Sequence, residues 1–397
     1  MTSDLKVNGF KAAAVRSGIR GKDRLDMGLI VCECSAAAAG VFTTSRVKAA
    51  PVLLDIERLA SGRARAVLVN SGIANACSGE AGMAAAVAAG RLAADGLGID
   101  QREVLVSSTG VIGEQLDLAC FEKGVSELIR SLSADGLTEV SRAIMTTDTV
   151  PKTAVRHVEV DGKPVKLAGL AKGAGMIKPD MATMLAFIMT DAAVEPACLR
   201  TMLRAGCERS FNRITVDGDT STNDSAIILA NGLAANRPLT GSSEGSAEFC
   251  RALNDLLKDL ALQIVRDGEG ATKLVSVRVT GARSDAEARQ AAETVANSNL
   301  VKTAFFGEDA NWGRIIAALG RSGAEFDQYK VDIAFDDALL VADGLGLGRG
   351  AEAAATGVLR NKEFSVNIDL KNGEGLYACY TCDFSLDYVR INADYRS

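Results

Sequence analysis

Residues TAVRHVEV and KPVKLAGL flank the dipeptide Asp161-Gly162. Two strand patterns joined by Asp-Gly make a two-residue hairpin, because both turn positions need φ > 0 and these residues tolerate it. The middle of the chain is thereby committed to antiparallel pairing. A second commitment lies near the end. In EFSVNIDL, Phe364, Val366, Ile368 and Leu370 alternate with polar residues, as a half-buried strand requires, and NGEG turns that strand back into LYACYTCDF.

Before and between these strands the period changes. Residues 64–70 and 103–107 read as apolar strands, the first ending at Asn70-Ser71-Gly72 and the second broken by Ser108-Thr109-Gly110. Helical periodicity covers about 79–96, closing near Gly96, and about 116–133, with Gly136 beyond it. Pro196 opens a helix to about 209, and further helices are expected at 245–264 and 285–298 around the strand TKLVSVRV. Strands AIILA and TKLVSVRV complete an expectation of antiparallel sheets covered by helices, an α+β layered fold. The 397 residues suffice for two domains or one large layered one.

Composition excludes several functions. The net charge of -6 comes without basic clusters, which argues against nucleic acid and anionic membrane as partners. No run reaches the ~18 apolar residues a membrane helix needs. The start, MTSDLKVNGF, lacks the pattern of a signal peptide, so a cytoplasmic location is expected. Nine cysteines in apolar contexts read as reduced core thiols. Cys379 and Cys382 form a lone CxxC beside a single histidine in the whole chain, so no metal site is expected.

Three motifs fail on inspection. GSSEG at 241–245 matches a nucleophile elbow but lies in a polar loop, and its triad would need His157 from mid-strand. GLGLGRG at 344–350 is neither a dinucleotide fingerprint nor a phosphate loop, and reads as a mobile loop. Asp217, Asp219 and Asp224 lack calcium-loop spacing and read as a hydrogen-bonded loop.

Thr183 remains. It ends the glycine-rich loop KGAGMIKPDMA and begins TMLAFIM, which reads as a buried strand. With one histidine available, a Ser-His or Cys-His pair is nearly excluded. A threonine manages without histidine when it is the first residue of its chain, its α-amine (pKa roughly 7.7–8.0) acting as general base. That requires cleavage between Ala182 and Thr183. On this pattern alone, a core threonine is the stronger reading.

The surrounding words change that. KGAGMIKPDMATML and SSTGVIG are joined by GVFTTSRVKAAPV, VNSGIANACSG, MTTDT, FNRITVDGDTSTNDS, RDGEGATK, KTAFFGEDANWGRI and the ending YVRINADYRS. In this order, along the whole chain, they closely resemble the ornithine acetyltransferase family, the glutamate N-acetyltransferases of arginine biosynthesis. The resemblance implies a precursor that cuts itself into chains 1–182 and 183–397, a processing site rather than a fold boundary. It implies a layered α/β/β/α sandwich with a smaller C-terminal α/β part, and an assembly of two such chain pairs as a heterotetramer. Thr183 would be the nucleophile that takes acetyl from N-acetylornithine and passes it to glutamate. Thr109 and Gly110 would stabilise the oxyanion. Thr146, Lys172, Glu269, Asn392 and Ser397, with Thr183, would contact substrate. No cofactor is implied, and acetyl-CoA enters only as a second donor if the enzyme is bifunctional. The alternative of the same architecture is a self-processing aminopeptidase or amidohydrolase, in which water takes the acyl group.

Overall fold

The computed structural model describes residues 4–21, 23–178 and 184–394; Ala182, Thr183 and Ser397 lie outside the described residues. The chain forms two compact units, Met1–Asn212 with Asp219–Ile264, and Arg213–Gly218 with Val265–Ser397. Each is a helix-covered sheet, and the fold class is α+β.

In the first unit, β1 (Phe10–Val15) pairs with the long β2 (Met27–Phe42). After α1 (Ala50–Arg58) come β3 (Arg63–Ile73), α2 (Gly79–Leu97) and β4 (Val104–Val111). Helices α3 (Leu118–Ser131) and α4 (Leu137–Ala143) lead to the hairpin β5 (Lys152–Val160) and β6 (Lys163–Lys172). Its turn residues, Asp161 and Gly162, take φ of 52° and 69°, the left-handed pair the sequence calls for. Then follow β7 (Leu185–Thr190), α5 (Pro196–Arg209), β8 (Ser225–Ala230) and α6 (Ser246–Arg266).

These strands form one eight-stranded sheet, ordered β4-β3-β2-β8-β7-β6-β5, with β1 paired to β2. It is mixed, not antiparallel as the sequence reading expects: β3–β4 and β7–β8 run parallel. The reason is connectivity, since α2 and α5 supply the crossovers that parallel neighbours need. Nor do β3 and β4 stop where the sequence suggests. They stay in register through Ser71↔Thr109 and Gly72↔Gly110 to Ile73↔Val111, so the polar triplets are part of the sheet. Helix α2 runs past Gly96 to Leu97, and Gly98, at φ 66°, is its left-handed cap.

Both faces near β2 and β3 are covered. Ile30, Val67 and Val69 join Leu137 and Val140 of α4 and Phe187 and Leu229 of β7 and β8 on one face. Leu29 and Leu68 face α2 and α3, where Ala85, Ala89 and Ala93 let the helix approach closely beside Phe121 and Leu128.

The second unit carries β9 (Leu274–Ala282), α7 (Asp285–Ala296), α8 (Asn299–Phe306) and α9 (Trp312–Gly320). The strands β10 (Asp332–Phe335), β11 (Ala338–Ala342) and β12 (Leu345–Gly346) precede α10 (Arg349–Leu359), β13 (Glu363–Asp369), β14 (Gly375–Cys382) and α11 (Leu386–Ala393). Its sheet order is β12-β11-β10-β13-β9-β14. GLGLGRG is thus no mobile loop: Leu345 and Gly346 form β12 against β11, and Arg349 starts α10. Phe305 meets Phe335 and Phe364 edge-on in the core. All nine cysteines are free thiols.

The strand order bears on a cut at 182/183. Strands β7 and β8 lie between β2 and β6, pairing with β6 from Leu167↔Thr190 to Lys172↔Leu185 and with β2 from Ala37↔Ala230 to Phe42↔Ser225. Fragments 1–182 and 183–397 are therefore expected to elute as one species by size exclusion and to separate only in denaturant. A 183–397 fragment eluting alone in native buffer would contradict this interleaving.

Candidate active site

Gly110 lies where β4 can carry no side chain. Its φ is 135°, and a Cβ there would fall 2.2 Å from the carbonyl carbon of Gly72 across the parallel pair. Thr109 beside it is buried. This strand end is held from two directions. Ser108 Oγ donates to Asn70 Oδ1 at 2.6 Å, and Asn223 Nδ2 donates to the carbonyls of Ser108 (2.8 Å) and Ala74 (2.7 Å). A threonine hydroxyl and an N–H on so fixed a backbone suit an oxyanion hole, which works by needing no reorganisation.

Asp224 follows Asn223 and is fully buried. Its Oδ1 accepts the Met184 N–H at 3.0 Å, and Ser225 N–H donates to the Met184 carbonyl at 3.0 Å. Neighbouring side chains of one segment thus fix the end of β4 and the residue after Thr183. Burial pushes the Asp224 carboxyl well above the usual carboxylate range, against the opposing Met184 N–H, Thr43 and the Lys172 charge.

Thr146 and Lys172 meet through Asp148. Asp148 Oδ2 accepts the Thr146 N–H at 3.0 Å, and Oδ1 accepts the Gly173 N–H at 2.7 Å and Lys152 Nζ at 2.6 Å. Lys172 Nζ lies 3.9 Å from Oδ2. Asp148, Lys152 and Lys172 are all buried. Burial alone would raise the Asp148 pKa, but the charges of Lys172 and Lys152, the Lys152 hydrogen bond and the Thr146 N–H outweigh it and hold the carboxyl well below its ordinary range.

Arg20 closes the circuit. Its guanidinium donates to the carbonyls of Met145 and Thr146, and its stem covers Gly72, where a Cβ would fall 2.6 Å from Arg20 Cγ. Asp26 holds the preceding loop by accepting the N–H groups of Ser17, Gly18 and Arg20. Thr109, Gly110, Thr146 and Lys172 are thereby tied into one continuous set within the first unit.

In the second unit, Asn392 Nδ2 donates to Glu269 Oε2 at 2.8 Å and to the Tyr388 carbonyl at 3.0 Å, so these two expected substrate residues also meet. Gly270, at φ 69°, lets α11 approach: a Cβ would fall 2.5 Å from Tyr388 N. Ser385 Oγ donates to the Gly270 carbonyl at 2.6 Å.

Sequence reasoning missed Arg20, Asp148, Lys152 and Asn223, and read Asp224 only as loop structure. Asp148 sits inside the quoted MTTDT, and its two lysine partners were the available signal. Among the described residues, no group of three or more His, Cys, Asp and Glu is placed to hold a metal.

A model of the ArgJ family matches residues 11–397. The chain is similar to the arginine biosynthesis bifunctional protein ArgJ of Desulfotalea psychrophila, 56% identical over 393 residues, which are 99% of this chain and 100% of that one. The solved argJ protein of Bacillus halodurans matches at 45% identity and TM-score 0.49, over 51% of this chain and 95% of its own. Ornithine acetyltransferase of Mycobacterium tuberculosis, solved in complex with ornithine, matches at 36% identity and TM-score 0.40, over 46% of this chain and 97% of its own.

Removing the Asp148 charge leaves two buried ammonium groups without their shared carboxylate. Asp148→Asn is expected to destabilise the fold by about 3–5 kcal/mol in urea unfolding, the usual cost of breaking a buried pair. The wild-type contribution also has a pH signature. The Asp148 pKa is lower folded than unfolded, so its stabilisation is present above the unfolded value of roughly 3.9 and is lost as pH falls through the folded one. The stability difference between wild type and Asp148→Asn should therefore shrink below about pH 4; a difference independent of pH would contradict the assignment.

Proposed function

The chain belongs to the ArgJ family, and from that premise we propose that it moves acetyl from N2-acetylornithine to glutamate, yielding ornithine and N-acetylglutamate, through an acetyl ester on Thr183. It is an acyltransferase of arginine biosynthesis. The observation that carries the reading is the set of residues fixed around Met184: Asp224 on its N–H, and Asn223 beside it holding the strand of Thr109 and Gly110.

In the first half-reaction the Thr183 hydroxyl attacks the acetyl carbonyl, with the Thr183 α-amine taking the proton. The developing oxyanion is stabilised by the Thr109 hydroxyl and the Gly110 N–H. Ornithine leaves with that proton. Glutamate then attacks the ester through its α-amine, and Thr183 recovers its hydroxyl. Lys172, beside Thr146, takes the substrate carboxylate as a charge-assisted contact. Glu269, oriented by Asn392, takes the side-chain amine of ornithine. Ser397, outside the described residues, is proposed as a further substrate contact.

The ester carries the acetyl group, so no cofactor is required. The relatives are named bifunctional, which favours acetyl-CoA as a second acetyl donor for the same threonine. The 1–182 and 183–397 chains are proposed to remain paired, two pairs forming a heterotetramer. No helix among the described residues is long and apolar enough to cross a membrane, and we place the enzyme in the cytoplasm.

Initial rates at varied N-acetylornithine and glutamate should give the parallel double-reciprocal lines of a ping-pong enzyme. Intersecting lines would contradict an acetyl-enzyme. Acetate released steadily without glutamate would indicate a hydrolase instead. With acetyl-CoA as sole donor, N-acetylglutamate should still form; zero turnover would remove the second activity.

A further inference from the structure

The ladder between β2 and β3 is irregular at one place. It passes from Val31↔Ala66 to Ala36↔Ala64, so β2 advances by five residues while β3 advances by two. Cys32, Glu33, Cys34 and Ser35 lie in that irregularity. Alternate residues of a strand share a face. Glu33 is exposed and paired to Lys11 at 2.9 Å, while Cys32 and Cys34 share the other side. Their Sγ atoms are 4.0 Å apart, although two residues of extended strand span ~6.6 Å. Cys32 is fully buried and Cys34 only half-buried, which leaves the pair a path from solvent. Neither thiol has a part in acetyl transfer.

Softness, ligand count and distance decide what such a pair can hold. Thiolates select soft cations. Among the described residues, no group of three or more His, Cys, Asp and Glu is placed to hold a metal, so four-coordinate zinc and iron–sulfur clusters lack their ligands. A soft monovalent cation needs only two sulfurs. Two metal–sulfur bonds of roughly 2.3 Å reach ~4.6 Å end to end, so a near-linear ion asks the thiols to separate by only ~0.6 Å. A disulfide, at roughly 2.05 Å, would have to draw them together by ~2 Å. We propose that Cys32 and Cys34 form a two-coordinate site for Cu(I), separate from the acetyl-transfer chemistry.

On binding, both S–H bonds break as two S–Cu bonds form, and the two protons pass to solvent. Copper enters and stays as Cu(I), so no oxidant or reductant is needed.

Asn231, just beyond β8, frames the site. Its carbonyl accepts from Cys34 Sγ at 3.8 Å, its Nδ2 donates to the Asn8 carbonyl at 2.7 Å, and its Oδ1 accepts the Leu233 N–H at 3.0 Å. Burial pushes the Cys32 thiol up to about 11, opposed by the Cys34 N–H and the Asn231 side chain, with the Cys34 sulfur adding to the rise. A shared cation supplies the charge that burial denies a lone thiolate, and a coordinated thiol gives up its proton outright. N–H donors aimed at sulfur are the outer support that metal-bound ligands use.

The test titrates the purified full chain with Cu(I), without oxygen, against the chromogenic chelator bicinchoninate. Wild type, Cys32→Ser, Cys34→Ser and a control at an exposed thiol, Cys77→Ser, are compared. Wild type and Cys77→Ser are each expected to retain one Cu(I) per chain. Cys34→Ser should bind at least about 100-fold more weakly, since losing even an outer-shell partner costs about 10–100-fold. X-ray absorption of the copper-loaded wild type should show two sulfur neighbours and no others. Should Cys32→Ser fail to fold, Cys34→Ser decides, because its side chain is only partly packed. Wild type surrendering all its copper to the chelator would overturn the proposal, as would Cys34→Ser holding copper at wild-type affinity. So would a shell of three or four ligands, or a copper-free wild-type chain lighter by two hydrogens through a Cys32–Cys34 disulfide. The readout is copper and not acetyl transfer, so the Thr183 reading stands or falls separately.

Discussion

Two lysine ammonium groups, Lys152 and Lys172, are buried in the first unit, and Asp148 is the carboxylate set between them. Taking ions out of water costs several kcal/mol each unless they are paired in good geometry. The Lys152 contact at 2.6 Å and the two backbone N–H groups on Asp148 meet that requirement. Because those N–H groups belong to Thr146 and Gly173, the carboxylate that pairs with the lysines also fixes the loop before β5 against the end of β6. Charge balance and site geometry are here one constraint.

The same economy recurs on the other side. Asn223 and Asp224 are consecutive, and they reach the end of β4 and the start of β7 respectively. Parallel pairing sets Gly110 so close to Gly72 that a Cβ on Gly110 would meet the Gly72 backbone, while Arg20 covers Gly72 itself. The site is therefore rigid by backbone contact at the oxyanion end and by buried polar contacts elsewhere. Such fixed dipoles are what acyl transfer uses, since they are oriented before charge develops.

Much of this was legible in the sequence, and unevenly so. The Asp161-Gly162 hairpin, the Pro196 helix start and the alternating strand at Glu363–Asp369 carry local signals, and all appear where expected. The long strand β2 was missed because its middle, Ala36–Ala39, has no β-branched or aromatic residue to mark it. Parallel pairing was missed because it depends on which distant strands meet. The resemblance supplied the candidate residues, and the structure brings Thr146 to Lys172 and Glu269 to Asn392. What neither period nor motif reveals is the supporting set. Arg20 and Asn223 act through contacts between segments far apart in the chain, and nothing local distinguishes them from surface polar residues, whereas Asp148 carries one local signal in Lys152 four residues on.

Acetyl transfer in this site requires that Thr183 become a chain terminus and carry the acetyl group on its oxygen. The direct measurement incubates the purified enzyme with N-acetylornithine, without glutamate, then quenches and digests it for peptide mass analysis. A peptide beginning at Thr183 is expected, heavier by one acetyl group that hydroxylamine removes. Acetyl on another residue, or a chain still continuous through Ala182 and Thr183 in active enzyme, would contradict it.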